Sequence, residues 1–130
     1  MKHIEVAAAV IIQDNKVFAA QRGEGGELAL KWEFPGGKLE QGERGEDAIV
    51  REIFEELGSE ITVRSHLISV EHQYKSFSLT LHAYRCDIVE GPLVLTEHLD
   101  SKWFEKDQLY SVPWAEADLP IVKAVSALLE

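Results

Sequence analysis

Eight carboxylates lie between residues 40 and 60 (Glu40, Glu43, Glu46, Asp47, Glu52, Glu55, Glu56 and Glu60), and only Arg44 and Arg51 oppose them. On a helix, at about 100° per residue, Glu52, Glu55 and Glu56 fall within one arc of about 100°. Carboxylates at i, i+3 and i, i+4 repel by about 0.2–0.5 kcal/mol per pair, so such an edge costs helix stability unless a positive charge joins it. Arg51 can pair with Glu55 four residues on, but it cannot neutralise all three. A hard divalent cation can, and oxygen ligands suit Mg²⁺, with Mn²⁺ as a substitute, better than zinc. An acidic run taken alone is more often a solvated helix face. The residues before it change that reading.

The stretch itself reads as a helix. Ile49, Val50, Ile53, Phe54 and Leu57 recur at helical spacing and fill an arc of about 140°, and Gly58 follows as a stop signal. Glu43, Glu46 and Asp47 lie near its start, where the helix dipole favours negative charge. Ahead of it runs Trp32-Glu33-Phe34-Pro35-Gly36-Gly37-Lys38, in which Pro35-Gly36-Gly37 breaks any regular element. The glycines let backbone approach a ligand or a neighbouring carboxylate closely, so a carbonyl there can face the acidic edge.

Together these residues resemble the Nudix box: a Gly, five residues, Glu, seven residues, then Arg-Glu-(apolar)-x-Glu-Glu-x-Gly-(apolar). Gly37, Glu43, Arg51, Glu52, Ile53, Glu55, Glu56 and Gly58 match at the required spacing. Ser59 departs from the pattern where an apolar residue is expected, and Ile61 is placed to fill that packing role. The likeness extends along nearly the whole chain to the short MutT-like nucleoside triphosphate pyrophosphohydrolases. Gln21-Arg22 ends a second strand, Glu-Phe-Pro-Gly-Gly-Lys precedes the box, and Ala117-Asp118-Leu119-Pro120 resembles their Ala-Asn-x-Pro.

That resemblance implies attack of water on a phosphorus of a nucleoside triphosphate, giving a monophosphate and pyrophosphate, in the service of nucleotide-pool sanitation and DNA repair. By analogy the Gly36 carbonyl, Glu52, Glu55 and Glu56 hold Mg²⁺, and Glu97 is a further ligand or base from a loop. Glu52 is the first choice to orient or deprotonate the water, with Glu97 its rival. Arg22 and Lys38 are candidate phosphate contacts, and Glu33 and Phe34 belong to the same substrate-binding group. Arg51 is expected to act on catalysis structurally, clamping Glu55 or loop carbonyls.

Asp118 stands where the MutT-like enzymes place a base-reading Asn, and it is also a good N-cap for the last helix. An ionised Asp only accepts hydrogen bonds, so it favours a base edge rich in N–H donors and makes CTP or dCTP candidates beside oxidised guanine. Phe34, Tyr74 or Phe77 can stack on the base, although strand aromatics usually belong to cores. The competing readings are hydrolysis of a dinucleoside polyphosphate or a nucleotide sugar such as ADP-ribose, and a nucleotide sensor without catalysis. A sensor is expected to have lost box carboxylates, and all are present here. The five histidines show no ligand spacing, and Trp103 and Trp114 read as packing residues.

The elements that must position these groups follow from periodicity. Val6 to Ile12 reads as a buried strand and Asn15 to Arg22 as a second; residues 61–72 and 77–84 form two more, with a turn at Glu90-Gly91-Pro92. A strand at Ser101–Phe104, a helical turn near Glu105–Leu109 and a helix from about Leu119 to Leu129 complete the chain. The fold class is α/β (α+β), a mixed sheet sandwiched between helices and held as one domain over residues 1–130; the Nudix topology comes from the resemblance. A chain of 130 residues with 45% apolar content supports one real core. Its net charge of −10 argues against polymeric nucleic acid. With one cysteine, Cys86, and no run of about 18 apolar residues, the expectation is a cytoplasmic protein, free of membrane, monomeric or homodimeric, acting on a small nucleotide.

Overall fold

The computed structural model describes residues 2–91, 93, 94 and 98–130. The early apolar run is the middle of a longer strand, β1 (Lys2–Gln13), whose Ala7 to Ile11 are buried on both faces. A strand buried on both sides reads as a continuous apolar run instead of alternating, because a layer covers each face. β2 (Lys16–Gln21) returns antiparallel to it across Asp14 and Asn15, both of which take positive φ. The loop expected at residues 32–38 instead contains two short strands. β3 (Trp32–Glu33) pairs with β2, and β4 (Gly36–Lys38) pairs antiparallel with β1 through Val6–Lys38 and Ala8–Gly36. Pro35 interrupts them without leaving the sheet, since its carbonyl accepts the Ala9 N–H at 2.8 Å.

Helix α1 (Gly45–Leu57) lies on one face, and Ala48, Ile49, Ile53 and Leu57 are buried against Ala7, Ala9, Ile11, Phe18, Ile61 and Cys86. Ile61 thus fills the place foreseen for it. Phe54 does not: it was expected on the buried face and is 64% exposed. At about 100° per residue it lies at the far edge of the apolar arc, past the reach of the sheet. Gly58 ends the helix in the left-handed region at φ 70°, its N–H bonding the Phe54 carbonyl.

β5 (Glu60–Gln73) and β6 (Phe77–Glu90) form a long antiparallel hairpin, and β6 runs parallel to β1 over ten pairs. The sheet order is β3-β2-β1-β6-β5, with β7 (Asp100–Phe104) on β2. A 3-10 turn at Lys106–Gln108 and another at Glu116–Asp118 lead into α2 (Leu119–Leu128). Ile121, Val122 and Val125 of α2 close the second core with Val10, Leu81, Ala83, Phe104 and Trp114. A mixed sheet between two helices is therefore observed as expected. Pro92 of the anticipated 90–92 turn, and Glu97, lie outside the described residues. Among the described residues no helix is long and apolar enough to cross a membrane.

Candidate active site

A cavity of about 540 Å³ opens between the start of β1, the β4 strand and the α2 approach. Its polar lining includes Arg22, Glu33, Lys38, Glu56, His98 and Asp118, and its apolar lining Val6, Leu28, Phe77, Leu79 and Leu81. Of the residues singled out in the sequence, Arg22, Glu33, Phe34, Gly36, Lys38, Glu56 and Asp118 thus meet on one surface. Glu52 and Glu55 are placed beside it, on the α1 edge, by Arg51.

Arg51 explains the shape of that edge. Its Nε and one Nη donate to the two carboxylate oxygens of Glu43, both at 2.9 Å, a planar fork-to-fork pair. The other Nη donates to Glu52 at 2.8 Å and Glu55 at 3.2 Å, and a further N–H reaches the Lys38 carbonyl at 3.1 Å. The expected Glu55 and loop-carbonyl contacts are both present. Glu43 as the main partner was not anticipated, although the box spacing of Glu43 and Arg51 carries it. The guanidinium holds the Glu43 carboxyl down to about 2, helped by the Glu40 N–H, and Glu43 in turn raises the Arg51 pKa.

Gly37 closes the arrangement from the loop side. A Cβ on it would collide with the Glu52 carboxylate where that side chain now sits, so a larger residue here would displace Glu52. Among the described residues, no three or more Asp, Glu, His or Cys side chains already form a ligand set. The cause is visible: Glu52 and Glu55 lean to Arg51 while Glu56 faces the cavity. The donors on offer, carboxylate oxygens and backbone carbonyl, still fit a hard divalent cation and no soft one.

At the opposite end Asp118 departs from its expected role as a helix cap. Its side chain makes no cap hydrogen bond; it is 5% exposed and accepts the Phe34 N–H at 3.0 Å. A 3-10 turn precedes α2, so the residue sits inside a turn, with its side chain aimed at the β3–β4 junction and not along the helix. Burial, and then the charge of Glu33, push its pKa well above the usual carboxylate range. The Phe34 ring is buried and stacks on Trp114 with centroids 5.0 Å apart. Tyr74 is also buried; its hydroxyl accepts the Ala117 N–H at 2.8 Å, and burial raises its pKa to about 12.

Between the two ends lies a chain the histidine spacing did not reveal. Arg22 contacts both oxygens of Glu33, at 3.3 and 3.4 Å, and His98 contacts the same carboxylate at 3.0 Å. The hydrogen bond to Glu33 raises the His98 pKa against the opposing effect of burial. Its adjacency to Glu97 was the one available sign. Glu97 itself lies outside the described residues.

The NUDIX domain family matches residues 7–124. The chain belongs to the Nudix family. This Nudix chain is 39% identical over 128 residues to the CTP pyrophosphohydrolase of Escherichia coli strain K12, covering 98% of this chain and 95% of that one. It is 30% identical over 129 residues to the 8-oxo-dGTP diphosphatase of the same strain, covering 98% and 100%. The solution structure of the MutT protein from methicillin-resistant Staphylococcus aureus 252 superposes with a TM-score of 0.80 at 40% identity, covering 98% of this chain and 99% of that one. Nudix proteins generally depend on a divalent metal.

Proposed function

We propose that this Nudix protein hydrolyses a nucleoside triphosphate to the monophosphate and pyrophosphate, with Mg²⁺ as the working cation and Mn²⁺ as a substitute. The observation that carries the reading is the cavity itself. One end adjoins the Arg51-ordered carboxylates, the glycine loop and Lys38, Arg22 and His98 meet on Glu33, and a buried carboxyl lines the cavity as well. Glu52, Glu55, Glu56 and the Gly36 carbonyl would hold the cation, which supplies charge neutralisation for the triphosphate and for the developing charge. Arg22 and Lys38 serve as phosphate contacts. Glu52, fixed by Arg51 Nη at 2.8 Å and by Gly37, is the residue best placed to orient the attacking water or take its proton. Because acids line this cavity beside Arg22 and Lys38, a −10 chain would need the bound cation to accept a polyanion here.

The raised pKa of Asp118 alters the argument about the base. A carboxyl held toward its protonated form presents an O–H donor as well as an acceptor, with one oxygen already engaged by the Phe34 N–H. The site therefore admits the edge of a cytosine or of an oxidised guanine, in keeping with the names of the two bacterial relatives.

The test is a nucleotide panel assayed with Mg²⁺, with the phosphate product identified and the assay repeated on Glu55→Gln. Pyrophosphate release that falls by about 10²-fold or more in the variant is expected. Failure of the wild-type chain to turn over any triphosphate would overturn the proposal.

A further inference from the structure

The segment between β2 and β3, residues 22–31, forms one side of the cavity through Gly23, Glu24, Gly25 and Leu28. The other side includes Tyr74 and Phe77, which bracket the turn of the β5–β6 hairpin. These two segments belong to opposite ends of the sheet order β3-β2-β1-β6-β5, so no strand pairing ties one to the other. Glu27 does. Its Oε2 accepts the Lys75 N–H at 2.7 Å, and its Oε1 accepts both the Ser76 N–H, at 3.1 Å, and the Ser76 hydroxyl. Glu27 is exposed and is not among the residues lining the cavity.

The segment is braced by its own hydrogen bonds. Its neck is closed by the Arg22 N–H to Lys31 carbonyl bond at 2.9 Å, and inside it Leu30 N–H reaches Gly23 and Ala29 N–H reaches Gly26. Gly25 and Gly26, immediately before Glu27, have φ of 115° and 79°, and Leu30 has φ of 63°. Leu28 alone adds partial packing against the core. The internal bonds fix the loop's shape, Leu28 and the Gln21 amide to Leu30 carbonyl bond tie it to the near side, and Glu27 is the side chain that crosses to the far wall.

We propose that Glu27 is a substrate-positioning residue: its carboxylate latches loop 22–31 to the Lys75–Ser76 turn and so sets the width of the nucleotide cavity. The proposal rests on the nucleotide reading of that cavity. A carboxylate suits the task because two successive backbone N–H groups and a hydroxyl converge on it, all donors. A glutamine offers one accepting oxygen and sets an NH₂ group against a backbone N–H. The same hydrogen bonds, that of Ser76 first, hold the Glu27 carboxyl below its ordinary range, which keeps it an acceptor at neutral pH.

The experiment compares the full chain with Glu27→Ala, Ser76→Ala and the double variant. Amide hydrogen exchange is measured without nucleotide, and KM and kcat are measured with the triphosphate turned over fastest. In Glu27→Ala, exchange in residues 23–30 is expected to quicken at least tenfold while β1 and α1 stay unchanged. KM is expected to rise about tenfold with kcat within about twofold. The double variant should be no worse than Glu27→Ala, since both remove one contact. Unchanged loop exchange, an unchanged KM, or additive effects in the double variant would each overturn the latch. The exchange measurement needs no substrate, so a chain that turns over no triphosphate refutes the functional reading while the latch is still judged on its own.

Discussion

Arg51 and Asp118 anchor the two ends of the site in contrasting ways. Arg51 gathers Glu43, Glu52, Glu55 and the Lys38 carbonyl, all from within thirteen residues of itself along the chain, on a partly exposed helix edge. Asp118 is buried, and its hydrogen-bond partner is the N–H of Phe34, 84 residues away. At the first end, opposite charges share solvent with their partners; the guanidinium draws Glu43 toward ionisation and holds Glu52 and Glu55 in place. At the second, a carboxyl is desolvated and drawn toward neutrality. The first arrangement orders a carboxylate edge at little cost; the second gives up stability to desolvate a carboxyl.

The largest break in this comparison is expected at Arg51. Arg51→Ala frees Glu43, Glu52 and Glu55 to repel one another and releases the Lys38 carbonyl, so turnover should fall by about 10²-fold or more. The Mg²⁺ concentration needed for half-maximal rate should rise by about 10–100-fold, as for other residues that orient metal ligands. Arg51→Lys should not rescue it, because an ammonium cannot make the two-pronged contact with Glu43 and reach Glu52 at once. Magnesium titrations of the rate in each variant decide the matter. A normal metal requirement in Arg51→Ala would show that the residue does not order the ligands.

A smaller effect of opposite sign is expected at Asp118. Below the unfolded-state pKa both folded and unfolded chains carry the proton, and burial exacts no ionisation cost. As pH rises past about 4 the unfolded chain releases the proton while the folded chain retains it, so stability falls until the folded pKa is passed. Asp118→Asn keeps an oxygen for the Phe34 N–H and removes the titration. It should raise Tm by about 3–6 °C at pH 8, the result of ~1–2 kcal/mol in a chain of this size, with the gain vanishing toward pH 4. Preference between cytosine and oxidised-guanine triphosphates should shift about tenfold. Melting curves across this pH range, with a two-substrate competition, test both; a lower Tm in the variant at pH 8 would refute the account of the buried carboxyl.

The same contrast explains what the sequence revealed. The box helix, its acidic edge and its glycine stop depend on periodicity and on spacings under about fifteen residues, so they were readable. The central strand followed from an apolar run and the strands at 61–72 and 77–84 from their patterning, but their joining as a hairpin did not, and the topology was left to the family resemblance. What escaped depended on distant chain meeting: β4 joining β1 out of a glycine-rich segment, His98 reaching Glu33 across 65 residues, and Asp118 turned from a helix cap to the Phe34 N–H. Phe54 shows the limit of periodicity even locally, since an arc predicts a face but not how far the neighbouring layer extends.

The smallest effect separates scaffold from chemistry within the box itself. Gly58 matches the motif as firmly as Gly37, yet the two glycines do different work. A Cβ at Gly37 would strike the Glu52 carboxylate, whereas a Cβ at Gly58 meets nothing within 4 Å. What Gly58 supplies is φ of 70°, which ends α1 and lets its N–H bond the Phe54 carbonyl. An alanine there bears the left-handed strain, about 1 kcal/mol after the loss of unfolded-state freedom is set against it. Gly58→Ala should therefore lower Tm by about 3 °C with kcat and metal requirement unchanged, and Gly58→Asn should lose less because Asn tolerates that conformation. If Gly58→Ala instead kept its Tm and lost metal-dependent turnover, the end of the helix would belong to the chemistry, and the division between an ordered cation edge and a merely supporting helix stop would fail.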